Sequence, residues 1–168
     1  MKKQTKRIAV CGVMAALGVV LLLLGNLLGI GLYLAPMLVG LCLVPIGREW
    51  GVKYQLLLWI VIGLLGLLLV PDLEEDLIFI GLLGWYPALR PRLQKLPAGA
   101  RIAAKLLLFN AVVLLLEGLL RLLLMPEAGG LGLTITLFVL GNAAFLFYDF
   151  ALPRMELLFQ SYFKRFFR

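Results

Sequence analysis

The sequence predicts an all-α integral membrane protein, a bundle of six helices with both termini in the cytoplasm. Two observations predict this class. Hydrophobic residues make up 63% of the 168 residues and charged residues only 15%, whereas soluble domains average about 45–50% and about 25%. The basic residues also alternate between the loops, as membrane topology requires. A soluble domain of this composition would expose apolar patches that promote aggregation.

Six apolar segments reach or approach the length of about 17–25 helical residues that crosses a bilayer. They cover residues 8–28, 31–46, 52–70, 73–89, 101–125 and 130–152. The second and fourth segments are the shortest, so these two helices are expected to be short, tilted or partly re-entrant. Asp72 is the predicted N-cap of the fourth helix, and Glu75 would complete a capping box with it.

The charges predict how the segments are oriented. Fifteen of the sixteen Lys and Arg residues fall on the cytoplasmic side if the N-terminus lies inside, and Arg121 is the exception. The outer loops then hold acidic residues and no Lys or Arg; the acidic residues are Asp72, Glu74, Glu75, Asp76 and Glu127. This partition follows the positive-inside rule. It predicts an even number of spans, with residues 90–101 in the cytoplasm.

The chain divides into two predicted parts, a six-helix transmembrane domain over residues 1–153 and a C-terminal tail over residues 154–168. The tail, "RMELLFQSYFKRFFR", mixes aromatic side chains with Lys and Arg. This composition is typical of an amphipathic helix at the lipid headgroups, where aromatic rings anchor and cations meet anionic lipid.

The fifth segment carries three polar residues inside an apolar run. By helical periodicity Asn110 and Glu117 lie about 20° apart, and Arg121 lies about 40° from Glu117. All three therefore share one face, which must look into the bundle or a wet cavity because lipid would be too costly. Glu117 and Arg121 are spaced to pair with each other. Two interpretations stay open, a structural ion pair or the wall of a polar site.

Further polar residues are expected at the same outer level of the bundle. Asn26 lies near the outer end of the first helix, Tyr33 opens the second and Thr134 begins the sixth. Together with Glu117 and Arg121 they predict a ligand-binding pocket for a small polar molecule.

A second polar stripe lies on the sixth segment toward the cytoplasm. Asn142 and Asp149 are seven residues apart, which places them on one face of a helix. A charge at this depth needs a partner. Asp149 is expected to pair with Arg154 or Arg90.

The sequence contains no pattern that predicts an enzyme. It has no His, the usual general base and commonest metal ligand, and no nucleophile elbow or Walker A motif. We therefore predict no catalytic residues, no cofactor and no metal site. The net charge of +7 is explained by membrane topology, so we predict no nucleic-acid partner.

The N-terminal region carries a resemblance to a known family. The basic start "KKQTKR" leads into "IAVCGVMAALGVVL", where Gly12 and Ala16 form a small-xxx-small pattern. This pattern permits close helix approach, either within the bundle or against a separate membrane subunit. With the chain length and six helices, this resembles the substrate-binding S components of energy-coupling factor transporters. The resemblance implies a vitamin-like ligand near the outer face, a second membrane subunit and a pair of ATPases. It also implies that Gly12 and Ala16 dock on the membrane subunit, in place of the family's Ala-x-x-x-Ala motif.

The expected function is therefore a multi-pass subunit of a bacterial plasma membrane that binds a small molecule for ATP-driven uptake. Two alternatives stay open. The chain could be a non-transporting scaffold or helper whose polar groups are structural. It could also be a stand-alone transporter or channel that forms oligomers through its small-residue faces.

Overall fold

The computed structural model describes residues 2–29, 33–71, 73–123 and 135–158. Within these ranges the chain is helical apart from short turns, so the all-α prediction is confirmed there. The elements are α1 (Lys2–Leu28), α2 (Leu34–Trp50), α3 (Val52–Leu69), α4 (Leu73–Ile78), a π-helical stretch (Phe79–Leu83), α5 (Tyr86–Leu93), α6 (Ala98–Leu123) and α7 (Ile135–Leu158).

Within the described residues, three stretches are long and apolar enough to cross a membrane, namely Gln4–Leu28, Val52–Leu69 and Ala98–Leu119. Large apolar side chains stand on their outer surfaces; Leu68 is 80% exposed and Leu107 is 72% exposed. Contact with lipid chains is favourable for these apolar side chains, whereas contact with water is unfavourable. The structure therefore supports membrane association. The count of six spans and the orientation of the termini stay predictions.

The fourth segment differs from the single helix predicted over residues 73–89. It is divided into α4, the π-helical stretch and α5, with a turn between the last two. Pro87 is a local cause of the turn before α5, because proline has no N–H and cannot bond the carbonyl of Leu83 four residues earlier. At the end of the π-helical stretch, the backbone N–H of Gly84 bonds the carbonyl of Phe79 at 2.9 Å, five residues earlier.

The predicted ends of two segments fall partly outside the described residues. Asp72, the predicted N-cap of α4, lies outside them, so the capping box stays a prediction. α7 continues to Leu158, and residues 154–158 of the predicted interfacial tail therefore belong to this helix. Residues 159–168 of the tail lie outside the described part of the chain.

Two apolar clusters hold the helices together. The first joins α1, α2 and α3 around Leu22, Val39 and Ile62. The second joins α2 and the π-helical stretch to α5, α6 and α7, with Phe109 and Phe145 stacked at its centre, their ring centroids 4.8 Å apart. α2 contributes to both clusters and so forms the middle of the bundle.

Candidate functional site

The structure places three of the five predicted pocket residues. Asn26 is half-buried near the end of α1. Tyr33 is half-buried just before α2, and its ring centroid lies 6.1 Å from that of Phe109 on α6. Glu117 is buried on α6, with 7% of its surface exposed. Tyr33 is thus held against α6, the helix that carries Glu117.

The structure does not describe the side chains of the other two predicted pocket residues, Arg121 and Thr134. Arg121 belongs to α6, but its side chain lies outside the described residues, as does the whole of Thr134. The Glu117–Arg121 ion pair and the complete pocket therefore stay predictions.

The first turn of α4 contains two buried acidic residues that the charge pattern assigns to the outer side of the membrane. Glu75 is 3% exposed and Asp76 is fully buried. Their burial is possible because glycines face them: a Cβ atom at Gly25 of α1 would lie 2.8 Å from Glu75 Oε1, and one at Gly66 of α3 would collide with the Asp76 carboxyl. The sequence correctly predicted that both residues begin the fourth helix, but it did not predict the burial of their side chains.

A buried ionic cluster, formed by Tyr86, Arg90, Lys105 and Asp149, joins α5, α6 and α7. Asp149 Oδ1 accepts hydrogen bonds from Tyr86 Oη at 2.7 Å and from Arg90 Nε at 2.9 Å. Its other oxygen, Oδ2, accepts one from Lys105 Nζ at 2.6 Å. The side chains of Lys105, Arg90 and Asp149 are only 6%, 14% and 16% exposed. The geometry suits a structural cluster, because both carboxylate oxygens are satisfied by charged or hydroxyl donors.

The pairing of Asp149 with Arg90 confirms one of the two partners expected from the sequence. The other expected partner, Arg154, lies over the ring of Phe150 instead, with its guanidinium carbon 3.5 Å from the centroid. Lys105 was assigned only to the cytoplasmic side, and its direct contact with Asp149 was missed. Its position inside the apolar segment 101–125 is the sequence signal that could have identified it.

A pair of side-chain amides links α6 to α7. Asn110 Nδ2 donates to Asn142 Oδ1 at 3.0 Å, and Asn142 Nδ2 donates to Asn110 Oδ1 at 2.9 Å. Helical periodicity predicts that Asn110 lies on the same face as Glu117, but it does not predict a partner for Asn110. The reciprocal pair satisfies both amides without a ligand and fixes how the two helices face each other.

A cavity of about 240 Å³ lies among the ends of α2, α3, α5 and α7 that are predicted to be cytoplasmic. Its polar lining includes Arg48, Gln55, Arg90 and Glu156, and Arg48 and Glu156 form an ion pair. The sequence did not predict this cavity, since its lining comes from four helices that are separate along the chain. It lies at the opposite end of the predicted topology from the expected pocket.

The predicted docking surface, Gly12 and Ala16, lies on an exposed side of α1. A Cβ atom at Gly12 would meet nothing within 4 Å, whereas one at Gly18 would lie 2.7 Å from the side chain of Ile62. Gly18 therefore serves packing inside the bundle, and Gly12 does not. The helix thus has an outward small-residue surface that the described chain leaves uncovered.

These features together define the class as an all-α chain with helices that can span a membrane and polar clusters between them. The chain matches no known family, curated protein or solved structure.

Proposed function

We propose that this chain is the membrane-embedded, small-molecule-binding subunit of an ATP-driven uptake transporter in a bacterial plasma membrane. The observation that carries the proposal is the uncovered surface of Gly12 and Ala16 on α1. Small residues at this spacing let a second helix approach closely. We infer that a second membrane subunit, itself coupled to a pair of ATPases, covers this surface.

The ligand is proposed to bind in the outer half of the bundle. The burial of Glu117 and the partial burial of Asn26 and Tyr33 support this placement, since polar groups kept inside a membrane domain mark ligand or ion pathways. With Arg121 and Thr134 they would bound one pocket. Opposite charges on Glu117 and Arg121 suit a small zwitterionic or polar aromatic molecule.

Replacing Gly12 with leucine is expected to abolish binding of the partner subunits while leaving ligand binding intact. The leucine would fill the space that the partner helix needs, and nothing else in the described chain lies within 4 Å of that position. The measurement is mass spectrometry of the proteins and small molecules that co-purify from the native cells. The matched control is Gly118→Leu, because Gly118 on α6 is also exposed and has nothing within 4 Å of its missing Cβ.

Three results would contradict the proposal. In the first, Gly12→Leu retains the same membrane subunit and ATPases as the unchanged protein. In the second, Gly118→Leu loses them equally, because a general effect of leucine would then explain the loss. In the third, neither partner subunits nor a small molecule co-purify with the unchanged protein.

A scaffold without transport is the second candidate function, and one specific observation favours it. The amides of Asn110 and Asn142 satisfy each other, and Asp149 is fully engaged within the buried ionic cluster. Polar groups can therefore be kept between these helices for packing alone. A bound small molecule in the outer half would exclude this alternative.

The transporter proposal includes a six-span topology with both termini in the cytoplasm. In a variant lacking Cys11 and Cys42, a cysteine at Lys95 is expected to escape an impermeant thiol reagent in intact cells and to react after permeabilisation. A cysteine at Pro71 is expected to react in both conditions. Both native residues are exposed, so accessibility differs only through the side of the membrane. Labelling at position 95 in intact cells would reject this topology.

A further inference from the structure

The first turn of α4 is inserted between α1 and α3. Glu75 packs against α1 at Gly25, and Asp76 packs against α3 at Gly66. A methyl group at Gly66 would collide with the Asp76 carboxyl, so the glycine provides the room for this side chain. An acidic side chain is therefore accommodated here by close helix packing and not by exposure to water.

The carboxyl of Asp76 is buried without a partner. None of its surface is exposed, and both carboxyl oxygens lack a hydrogen-bond partner within the described chain. An ionised carboxylate removed from water is very unfavourable unless it is paired, and the usual outcome is that the group takes up a proton. This site differs from Asp149, which receives three hydrogen bonds from its neighbours.

The ionisable residues around Asp76 do not supply an evident counter-charge. The π-helical stretch and the outer halves of α1 and α3 contain no acidic or basic residue. At the level of Asp76, α4 itself, the start of α2 and the outer half of α6 contribute acidic groups, one tyrosine and a single cation, whose side chain lies outside the described residues. These ionisable groups are Glu74 and Glu75 on α4 itself, Tyr33 beside α2, and Glu117 and Arg121 on α6. The other Lys and Arg residues of α1, α2, α3 and α6 lie toward the opposite ends of those helices. Carboxyl groups outnumber the one cation, which further disfavours ionisation of Asp76.

We propose that Asp76 is a proton-binding site, and that its proton keeps the first turn of α4 docked between α1 and α3. A proton suits the site better than a metal ion, because the described residues contain no group of three or more side chains placed to hold a metal. Loss of the proton creates a charge inside the bundle, and the carboxylate must then move toward water. The π-helical stretch that follows α4 is a discontinuity at which the short helix can move. The protonation state of Asp76 thus controls the docking of α4 at the predicted outer end.

The proton can be observed directly by infrared spectroscopy of the full-length protein in nanodiscs. The unchanged protein is expected to show the carbonyl stretch of a protonated carboxylic acid, which shifts when aspartate carries heavy carbon. The band should disappear in Asp76→Asn, whose amide fills the same space, and persist in Glu74→Gln on the same turn. Titration from acid to alkaline pH should remove the band from the unchanged protein.

Several outcomes would overturn the proposal. One is an aspartate band that survives in Asp76→Asn, and another is the absence of any aspartate band across the pH range. Loss of the band on adding sodium at constant pH would identify a cation site in place of a proton site. If Asp76→Asn does not fold, Asp76→Glu keeps a carboxyl group at the site, and the band should then shift with heavy-carbon glutamate in place of heavy-carbon aspartate.

The pH dependence of stability gives a second readout with a definite sign. A carboxyl that holds its proton in the folded bundle binds more protons folded than unfolded, so stability should fall as the pH rises. The midpoint of thermal unfolding is therefore expected to decrease with rising pH, and the decrease should be smaller in Asp76→Asn than in Glu74→Gln. Equal decreases in both variants would count against the site. These readouts concern the carboxyl alone, so they stand or fall separately from the docking of α1.

Discussion

Replacing Asp149 with leucine is expected to lower the free energy of unfolding by about 3–5 kcal/mol, the usual cost of removing one partner from a buried ion pair. The substitution removes the only acceptor that Lys105 and Arg90 share in the described structure. Lys105 would be most affected, because its side chain is only 6% exposed. The measurement is the thermal or denaturant-induced unfolding of the purified protein in detergent.

A double-substitution cycle tests whether the loss comes from the stranded charge. Asp149→Leu combined with Lys105→Met removes both members of the closest pair, so the double variant is expected to lose less stability than the two single losses summed. Glu156→Leu is the matched control on the same helix. Its partner Arg48 is 55% exposed, and exposed pairs contribute about 0–1 kcal/mol. Additive losses, or equal losses for Asp149→Leu and Glu156→Leu, would contradict the assignment of a buried cluster.

Hydropathy predicted the long helices because each contains a long apolar run in which charged residues are few. The same measure did not predict the break in the fourth segment. Hydropathy averages over residues and is insensitive to the single missing N–H of Pro87, which removes one helical hydrogen bond. The position of a helix in the chain could therefore be predicted, but its internal continuity could not.

The buried acidic residues show a different reason for failure. Charge patterning assigned Glu75 and Asp76 to the outer side of the membrane, at the start of the fourth helix, and did not indicate that they are buried. Their burial depends on Gly25 and Gly66, which are distant along the chain and simply count as small residues in apolar helices. Only the packing of α4 against α1 and α3 reveals that these glycines make room for carboxyl groups.

The polar side chains of α6 and α7 were predicted by face but not by partner. Helical periodicity places Asn142 and Asp149 on one side of α7, and a charge in that position requires a counter-charge, which led correctly to Arg90. Periodicity does not specify the height at which two helices face each other. The partners Asn110 and Lys105 therefore needed the structure, where they lie 32 and 44 residues away in sequence.

Gly40 is a position where a single added methyl group is expected to disrupt the contact of three elements. The glycine lies in α2 against the hydroxyl of Tyr148, which donates a 2.7 Å hydrogen bond to the Leu83 carbonyl. This carbonyl ends the π-helical stretch and is available because Pro87 has no N–H to bond it. A Cβ atom at position 40 would collide with the hydroxyl and lie 2.6 Å from the carbonyl oxygen. The close approach of three elements therefore requires glycine.

Replacing Gly40 with alanine is expected to lower the free energy of unfolding by about 1–3 kcal/mol through overpacking. Breaking the Tyr148 hydrogen bond would add about 1–3 kcal/mol to this loss, since Tyr148 and Leu83 are both buried.

The loss is measured by unfolding the purified protein in detergent. Gly118→Ala is the control, because its new methyl group meets nothing within 4 Å. Tyr148→Phe removes the hydroxyl that the methyl group strikes, so Gly40→Ala should cost less in that background. If Gly40→Ala costs the same in both backgrounds, or no more than Gly118→Ala, then the Tyr148–Leu83 contact is not what requires glycine at this crossing.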